Sequence, residues 1–122
     1  MKFVVQEHFA THHHFDLRLE MDGVAKSWAV PKAMPEKKYD KRLAIEVDDH
    51  TIEYMDFEGE IPEGMYGAGK VLIWDKGTYD LVKRSEKEIE FKLYGEKLKG
   101  IYALIKFPKG GANAWLIVKK DL

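Results

Sequence analysis

The 122-residue sequence contains no cysteine, only four prolines and almost no net charge, with 20 basic and 21 acidic residues. The absence of cysteine excludes disulfides, thiolate zinc sites and cysteine nucleophiles. Any bound metal must therefore use nitrogen and oxygen ligands, which suit Mn, Mg, Fe or catalytic Zn. The near-neutral charge argues against binding of nucleic acid by bulk positive charge alone, although a local basic groove is compatible with it.

Long apolar runs are also missing. No run approaches the roughly 20 residues that cross a bilayer, and the N-terminal residues lack the apolar core of a signal peptide. We therefore expect a cytoplasmic, monomeric protein with no membrane partner. The length suits a single domain over residues 1–122 that can build its own core.

Apolar and polar residues alternate along most of the chain, which is the period of β-strands. The segments with this pattern are 3–5, 15–21, 26–30, 43–47, 70–75, 89–93, 100–107 and 114–119. Turn signals at Asp22-Gly23, Lys76-Gly77 and 108–111 separate some of them. The pattern predicts an all-β fold: a compact closed or crescent-shaped β-barrel of about eight mainly antiparallel strands, with a concave active site and little helix.

The longest irregular stretch is 56–70, which is rich in glycine. A loop of that length in so small a domain is usually functional or flexible. We interpret it as a rim of the active site.

The segment from Gln6 to Glu20 holds four of the five histidines. On a strand, His14 and Asp16 leave the same face about 6.6 Å apart, so both can reach one ion. A fully extended chain would put His8 about 20 Å from His14, so residues 9–13 must turn or bulge if His8 is also a ligand. Two histidines and one carboxylate leave coordination positions open, as in catalytic metal sites. We expect at most an accessory role for the neighbouring histidines at 12 and 13.

Arg18 shares the face of the candidate ligands, where its guanidinium can grip a metal-bound phosphate bidentately. His50 follows a predicted strand and precedes Tyr54 by four residues. A histidine near a scissile phosphate can protonate the leaving oxygen or stabilise developing charge, and Tyr54 can add a neutral donor. Lys32 and Arg42, at predicted strand ends, can supply further positive charge.

Motifs along nearly the whole chain carry a resemblance to a known family. They are Gln6-x-His8-x-Ala10-Thr11-x-x-His14-Phe15-Asp16-Leu17-Arg18-Leu19-Glu20, Asp22-Gly23-Val24-x-Lys26-Ser27-Trp28-Ala29-Val30-Pro31-Lys32, Lys41-Arg42-Leu43-Ala44, Asp49-His50-x-x-x-Tyr54, Tyr66-Gly67-Ala68-Gly69, Ile73-Trp74-Asp75-x-Gly77-Thr78 and Trp115-Leu116-Ile117-x-Lys119. With these motifs the chain resembles the 3′-phosphoesterase domain family of bacterial DNA ligase D and its free-standing bacterial and archaeal relatives.

The resemblance implies a manganese-dependent phosphoesterase that repairs DNA 3′ ends, with Co²⁺ or Zn²⁺ as other possible metals. Family members remove a 3′-terminal ribonucleoside from a primer strand and then hydrolyse the remaining 3′-phosphate to a hydroxyl. The implied partners are DNA or RNA-tipped DNA 3′ ends of primer-templates, together with a separate ligase and polymerase of an end-joining system. The implied fold is a compact β-barrel with the site in a concave face.

The resemblance also assigns roles to residues. Its metal ligands fall on His8, His14 and Asp16. Its catalytic and phosphate-contacting residues fall on Arg18, His50 and Tyr54. Its supporting phosphate-binding positions fall on Gln6, Lys32, Arg42 and Asp48.

Two departures from the family pattern limit what the resemblance implies. The charged N-terminal arm that usually precedes the first strand is missing, and this arm is associated with ribonucleoside removal. The resemblance therefore supports 3′-phosphate removal better than that step. The chain also has Phe15 where the family commonly has tyrosine, and we expect this loss of a hydroxyl to be mild.

Two other functions are compatible with parts of the pattern. His14, Asp16 and the distant His50 also match an HxD…H triad, which would make the chain a non-haem Fe(II) oxygenase. Alternatively, the chain is a non-catalytic DNA-end-binding module that docks a phosphate without turnover. Oxygen uptake would favour the oxygenase, and binding without turnover would favour the module.

Overall fold

The computed structural model describes residues 1–121, and within them the chain forms nine β-strands and two short 3₁₀ helices. The strands are β1 (Lys2–Phe9), β2 (His14–Met21), β3 (Val24–Val30), β4 (Lys41–His50), β5 (Gly59–Ile61), β6 (Gly69–Arg84), β7 (Glu88–Tyr94), β8 (Lys99–Lys106) and β9 (Ala114–Lys119). The helices are η1 (Ile52–Asp56) and η2 (Pro108–Gly110). In this part of the chain no helix has the length and apolar character to cross a membrane.

Eight of these strands close into an antiparallel barrel. Neighbouring strands follow the order β1-β2-β3-β4-β9-β8-β7-β6, and β6 pairs back onto β1 to complete the ring. The short β5 adds to β6 as a ninth strand outside the ring. The prediction of an all-β barrel of about eight antiparallel strands with little helix is confirmed.

Apolar side chains at alternate positions of each strand point inward and fill the barrel. On β2 the inward residues are Phe15, Leu17 and Leu19, which pack in one cluster with Trp28 and Tyr102. Full burial of each large apolar side chain stabilises the fold by about 2 kcal/mol. The burial of these three residues therefore determines which face of β2 points outward. The outward face is the one that carries the candidate ligands.

The Asp22-Gly23 turn lies where the sequence predicts it. Met21 pairs with Val24 across the two-residue loop, and both turn residues have positive φ, 57° at Asp22 and 79° at Gly23. Positive φ at both positions is the requirement of a type I′ hairpin, which aspartate followed by glycine meets. This turn joins β2 to β3.

The turn predicted at Lys76-Gly77 is wrong, because both residues lie inside the 16-residue strand β6. The early part of this strand pairs with β1 and the later part with β7. A Cβ on Gly77 would clash with the backbone carbonyl of Tyr94. The glycine therefore permits a close approach of two strands and does not mark a chain reversal.

The glycine-rich stretch is more ordered than an irregular loop. It contains β5 and the beginning of β6 at Gly69. Three residues that begin with Gly59 show no alternation long enough to predict a strand. Residues 62–68, between β5 and β6, form the longest irregular part of this stretch.

A buried carboxylate ties β6 to the turn between β7 and β8. Asp75 is 4% exposed, and its two oxygens accept hydrogen bonds from the backbone N–H groups of Lys76, Glu96, Lys97 and Leu98 at 2.8–3.2 Å. Four donors on one carboxylate saturate it. The turn is thereby fixed to the barrel wall.

We expect Asp75→Ala to lower the free energy of unfolding by about 3 kcal/mol, because it leaves several buried backbone N–H groups without an acceptor. Urea denaturation at neutral pH measures this change. The exposed acidic residue Glu86 provides the control, since Glu86→Ala should change stability by less than about 0.5 kcal/mol. Equal effects in the two variants would contradict the role of Asp75.

Candidate functional site

The pairing of β1 with β2 builds the base of the site. Directly opposed pairs are His8 with His14, Gln6 with Asp16, and Val4 with Arg18. Opposed residues of antiparallel strands share a face, with Cβ atoms about 5 Å apart. The chain reverses between the end of β1 and the start of β2, which confirms the predicted bend that brings His8 beside His14.

His8, His14 and Asp16 place three donor atoms in a small triangle. His14 Nε2 lies 3.3 Å from His8 Nδ1 and 3.3 Å from Asp16 Oδ2, and His8 Nδ1 lies 3.7 Å from the same oxygen. Ligands about 2.1 Å from a tetrahedral metal are about 3.4 Å apart, so the triangle has the size that a metal requires. Within residues 1–121 this trio is the group of histidine and acidic residues that could hold a metal ion.

The other nitrogen of each ring is held by the backbone. His8 Nε2 lies 2.9 Å from the carbonyl oxygen of Gly67, and His14 Nδ1 lies 2.8 Å from that of His12. Each carbonyl accepts from a ring N–H, which leaves the lone pairs of the remaining nitrogens directed at the carboxylate. This is how metal-ligating histidines are oriented. The donor set therefore fits a divalent cation of the Mn, Fe or Zn type.

Lone pairs that face one another repel unless a proton or a cation lies between them. Two imidazole lone pairs and a carboxylate converge on one point, and the hydrogen bond with Asp16 raises the pKa of His14 above its ordinary value. A proton or a metal ion can occupy the point where the donors meet.

Arg18 lies beside the trio and is 4% exposed. Its Nε donates to Gln6 Oε1 at 2.6 Å and its Nη1 to Ser27 Oγ at 2.7 Å, while Nη2 lies 3.6 Å from Asp16 Oδ2. Burial lowers the pKa of Arg18, yet a guanidinium stays charged at any physiological pH. The side chain is therefore a fixed cation whose Nη2 edge turns toward the candidate ligands.

Gln6 is fully buried behind this arginine. Its amide nitrogen donates to the carbonyl oxygens of Tyr54 at 2.9 Å and Phe57 at 3.2 Å. One side chain thus fixes both Arg18 and the η1 segment. The sequence predicts Gln6 as a phosphate-binding residue, but the structure places it beneath the cavity and not in its lining.

A stack of rings stands on the other side of Arg18. His50 packs on Tyr54 with centroids 4.4 Å apart, and Tyr54 packs on Phe57 at 5.2 Å. The Arg18 guanidinium carbon lies 4.9 Å from the Tyr54 ring centroid. Burial lowers the pKa of His50, assisted by the charge of Arg18, and burial raises the pKa of Tyr54. Both pKa shifts favour the neutral forms of these two side chains.

A β-bulge brings His50 to this face. Ser27 pairs with Val47, but Ala25 pairs with His50. Over this interval β4 advances by three residues while β3 changes by two, so β4 contains one extra residue. Without the irregularity, Val47 and His50 would point to opposite faces, because strand side chains alternate. With it, both line the cavity.

These side chains share one cavity of about 600 Å³. Its lining is His8, Ala10, Thr11, His12, His14, Asp16, Arg18, Ala29, Val47, His50, Tyr54, Ile61, Met65, Tyr66, Gly67 and Ala68. The six residues predicted as metal ligands and catalytic groups are therefore together. His13 instead pairs with Glu7 at 2.9 Å and stacks on Phe9, away from this lining.

The other supporting residues lie elsewhere. Lys32 and Arg42 line a separate cavity of about 630 Å³ together with Lys41. Asp48 is exposed on β4 and is not part of the lining of the first cavity. These residues are not in direct contact with the donor triangle.

The predicted rim 56–70 does contribute Met65, Tyr66 and Gly67 to the lining, but the sequence assigned no individual role to Ser27, to the Gly67 carbonyl or to these two loop side chains. The alternation of small residues at Ala25, Ser27 and Ala29 on β3 was a usable signal, because small side chains leave room for Arg18 above them. A backbone carbonyl that fixes a ring leaves no signal in the side-chain pattern. Met65 and Tyr66 lie in a loop, where apolar residues do not alternate regularly, so the alternation pattern cannot identify them.

Fold and site together define a small antiparallel β-barrel protein with a candidate metal centre beside a buried arginine. The family model of the DNA Ligase D 3′-phosphoesterase domain matches residues 6–106. The chain belongs to this family.

Relatives support the same assignment. The chain is 52% identical over 108 residues to the multifunctional non-homologous end joining DNA repair protein LigD of Mycobacterium tuberculosis, which covers 85% of this chain and 14% of that protein. It is 44% identical over 125 residues to the multifunctional non-homologous end joining protein LigD of Pseudomonas aeruginosa, covering 98% of this chain and 15% of the relative. The chain thus spans about one seventh of the length of these relatives.

We expect Gln6→Ala to reduce the free energy of unfolding by about 3 kcal/mol, because Arg18 loses a buried acceptor and two carbonyls lose their donor. Thermal unfolding followed by circular dichroism measures the loss. Glu7→Ala on the same strand removes only a partly exposed contact with His13 and should cost less than about 1 kcal/mol. A Gln6 variant as stable as the Glu7 variant would contradict the bridging role.

Proposed function

We propose that this chain is a metal-dependent phosphoesterase that removes the 3′-phosphate from DNA ends. The observation that carries the proposal is the shared cavity, in which the donor triangle and the fixed cation of Arg18 lie within 3.6 Å of each other at Asp16. A divalent cation and a planar guanidinium around one point suit a tetrahedral dianion better than they suit a neutral substrate. Family membership favours the same chemistry.

The metal in this proposal is Mn²⁺, with Co²⁺ and Zn²⁺ as alternatives, held by His8, His14 and Asp16. When bound, the cation supplies Lewis-acid neutralisation of charge on a phosphate oxygen. The carbonyls of Gly67 and His12 keep the two rings in the tautomers that ligation needs.

Arg18 clamps the phosphate in this mechanism. Gln6 and Ser27 hold two of its N–H groups, so the guanidinium needs little reordering when a phosphate arrives. Pre-set donors stabilise the charge that develops in the pentavalent transition state more than they stabilise the ground state.

His50 and Tyr54 complete the phosphate end of the site. His50, whose lowered pKa favours the neutral ring, stabilises the transition state by donating a hydrogen bond or, when protonated, supplies a proton to the leaving 3′-oxygen, and Tyr54 adds a neutral hydroxyl donor. The ring stack with Phe57 orients both side chains. Lys32, Arg42 and Asp48 remain predicted supporting groups, outside this cavity.

The proposed substrates are DNA or RNA-tipped DNA 3′ ends of primer-templates. We extend the proposal to removal of 3′-terminal ribonucleosides, which would leave a 3′-phosphate for the first activity. The relatives are named for non-homologous end joining, and we propose the same context here, with a separate ligase and polymerase as partners.

The oxygenase alternative is not favoured. It requires His50 as the third ligand, whereas the donor triangle of the described residues contains His8 in that role. His50 instead stacks on Tyr54 at the phosphate end of the cavity. A non-catalytic end-binding module differs from the enzyme only in turnover, which a product assay measures.

We expect the protein to bind one Mn²⁺ and His14→Ala to weaken that binding at least about tenfold, because one of three ligands is lost. Calorimetric titration of metal-free protein at pH 7.5 measures the affinity. His13→Ala serves as the matched control, since that ring faces Glu7. Unchanged affinity in the His14 variant would refute the donor triangle.

We expect Arg18→Lys and His50→Ala each to lower kcat/KM for a 3′-phosphorylated primer-template by about a hundredfold, since each removes a group that stabilises transition-state charge. Gel analysis of the 3′-hydroxyl product measures the rate. The exposed Lys109 supplies a control variant, Lys109→Ala, with wild-type activity. Near-wild-type turnover by the His50 variant would remove His50 from the mechanism.

A primer-template that ends in one ribonucleotide, tested across a panel of divalent metals, separates the two proposed activities. Loss of the ribonucleoside with appearance of a 3′-phosphate and then a 3′-hydroxyl supports both. Removal of phosphate alone restricts the proposal to the monoesterase. Binding of ends that remain unchanged with every metal identifies a docking module.

A further inference from the structure

The loop at the rim of the cavity carries two exposed large side chains. Tyr66 is 87% exposed and Met65 is 61% exposed, and both line the cavity that contains the candidate ligands. Within residues 1–121, no aromatic ring stacks on Tyr66 and its hydroxyl has no hydrogen-bond partner. Because the ring is exposed and lies beside the candidate cavity, its faces are open to a ligand.

The backbone that carries this ring is fixed. Two successive turns form the loop, with Met65 N–H donating to Pro62 O at 3.3 Å and Ala68 N–H donating to Met65 O at 3.1 Å. Gly64 and Gly67 have φ of 86° and 78° at the third position of each turn, as type II turns require.

A direct hydrogen bond joins this loop to the candidate metal centre. The carbonyl of Gly67 accepts from His8 Nε2 at 2.9 Å. Tyr66 precedes that glycine, so one hydrogen bond and one turn hold the backbone at Tyr66 relative to the donor triangle. Tyr66 and Arg18 line the same cavity, so a ligand bound at Arg18 lies within the cavity whose rim carries Tyr66.

The cavity lining has an apolar part and a polar part. The loop and β5 contribute the apolar Ile61, Met65 and Tyr66, while the connection from β1 to β2 contributes the polar Thr11 and His12. A nucleotide has the same division between a flat base and a polar sugar-phosphate. A cavity of about 600 Å³ lies within the range of about 300–1,000 Å³ that small-molecule ligands occupy.

We propose that Tyr66, assisted by Met65, is a stacking surface for the free face of the 3′-terminal base. This inference rests on the proposed function and names how the site selects its substrate. A terminal base has one face covered by the preceding base and one face bare, whereas an internal base has both faces covered. Stacking on Tyr66 therefore selects strand ends, and it tolerates every base because each has a π-face.

The test compares two 3′-phosphorylated primer-templates, one with a normal terminal nucleotide and one with an abasic terminal nucleotide. Tyr66→Ala should raise KM for the normal end about tenfold by removing one base–aromatic stack. It should leave kcat, and KM for the abasic end, within about twofold, since no stack exists there. Tyr66→Phe and Tyr66→Trp should retain the wild-type KM because both keep a ring.

Tyr39→Ala is the matched control, since Tyr39 is 67% exposed and lies outside the cavity lining. An equal rise in KM for both ends, an unchanged KM in Tyr66→Ala, or the same rise in the control would overturn the proposal. Anisotropy of the same two DNAs, labelled and titrated without added metal, reports the stack independently of turnover. If the wild-type protein hydrolyses neither end, the proposed function fails. The stacking proposal is still supported in that case if the wild type binds the normal end more tightly than the abasic end and Tyr66→Ala abolishes the difference.

Discussion

The register of β1 against β2 is the constraint on which the site depends. With His8 opposite His14 and Gln6 opposite Asp16, the candidate site residues of these two strands share one face. A slip of one residue would turn His8 toward the other face, because strand side chains alternate. The apolar row of β2, buried in the barrel, prevents that slip. The same burial that stabilises the fold therefore also positions the donor atoms.

A buried polar network then extends this order to the Arg18 end of the cavity. Arg18, Gln6 and Ser27 are each at most 4% exposed and hydrogen-bonded to one another. A buried cation is costly unless it is paired and its donors are used. Asp16 supplies the compensating charge while it also faces the two histidines. The carboxylate thus serves both halves of the site, which explains why they are adjacent.

The sequence predicted the parts of the site that follow from a period of two. The shared face of His14, Asp16 and Arg18 and the burial of Leu17 needed only alternation. The position of His50 depended on a bulge, which alternation cannot show. Lys76-Gly77 misled the prediction because glycine marks close strand contact as well as turns. The supporting roles of Lys32 and Arg42 followed from their charge at predicted strand ends and from the family resemblance, and the structure places both in another cavity.

The closure of the barrel through β6 has a consequence for the order of folding. Lys2 lies opposite Thr78, so closing the ring brings together segments far apart in sequence, which is slow because of loop-closure entropy. The donor triangle, by contrast, lies within one hairpin between β1 and β2. The three side chains therefore come together in the hairpin itself, but the Gly67 carbonyl that orients the His8 ring belongs to the loop before β6 and reaches the ring only when β6 pairs with β1.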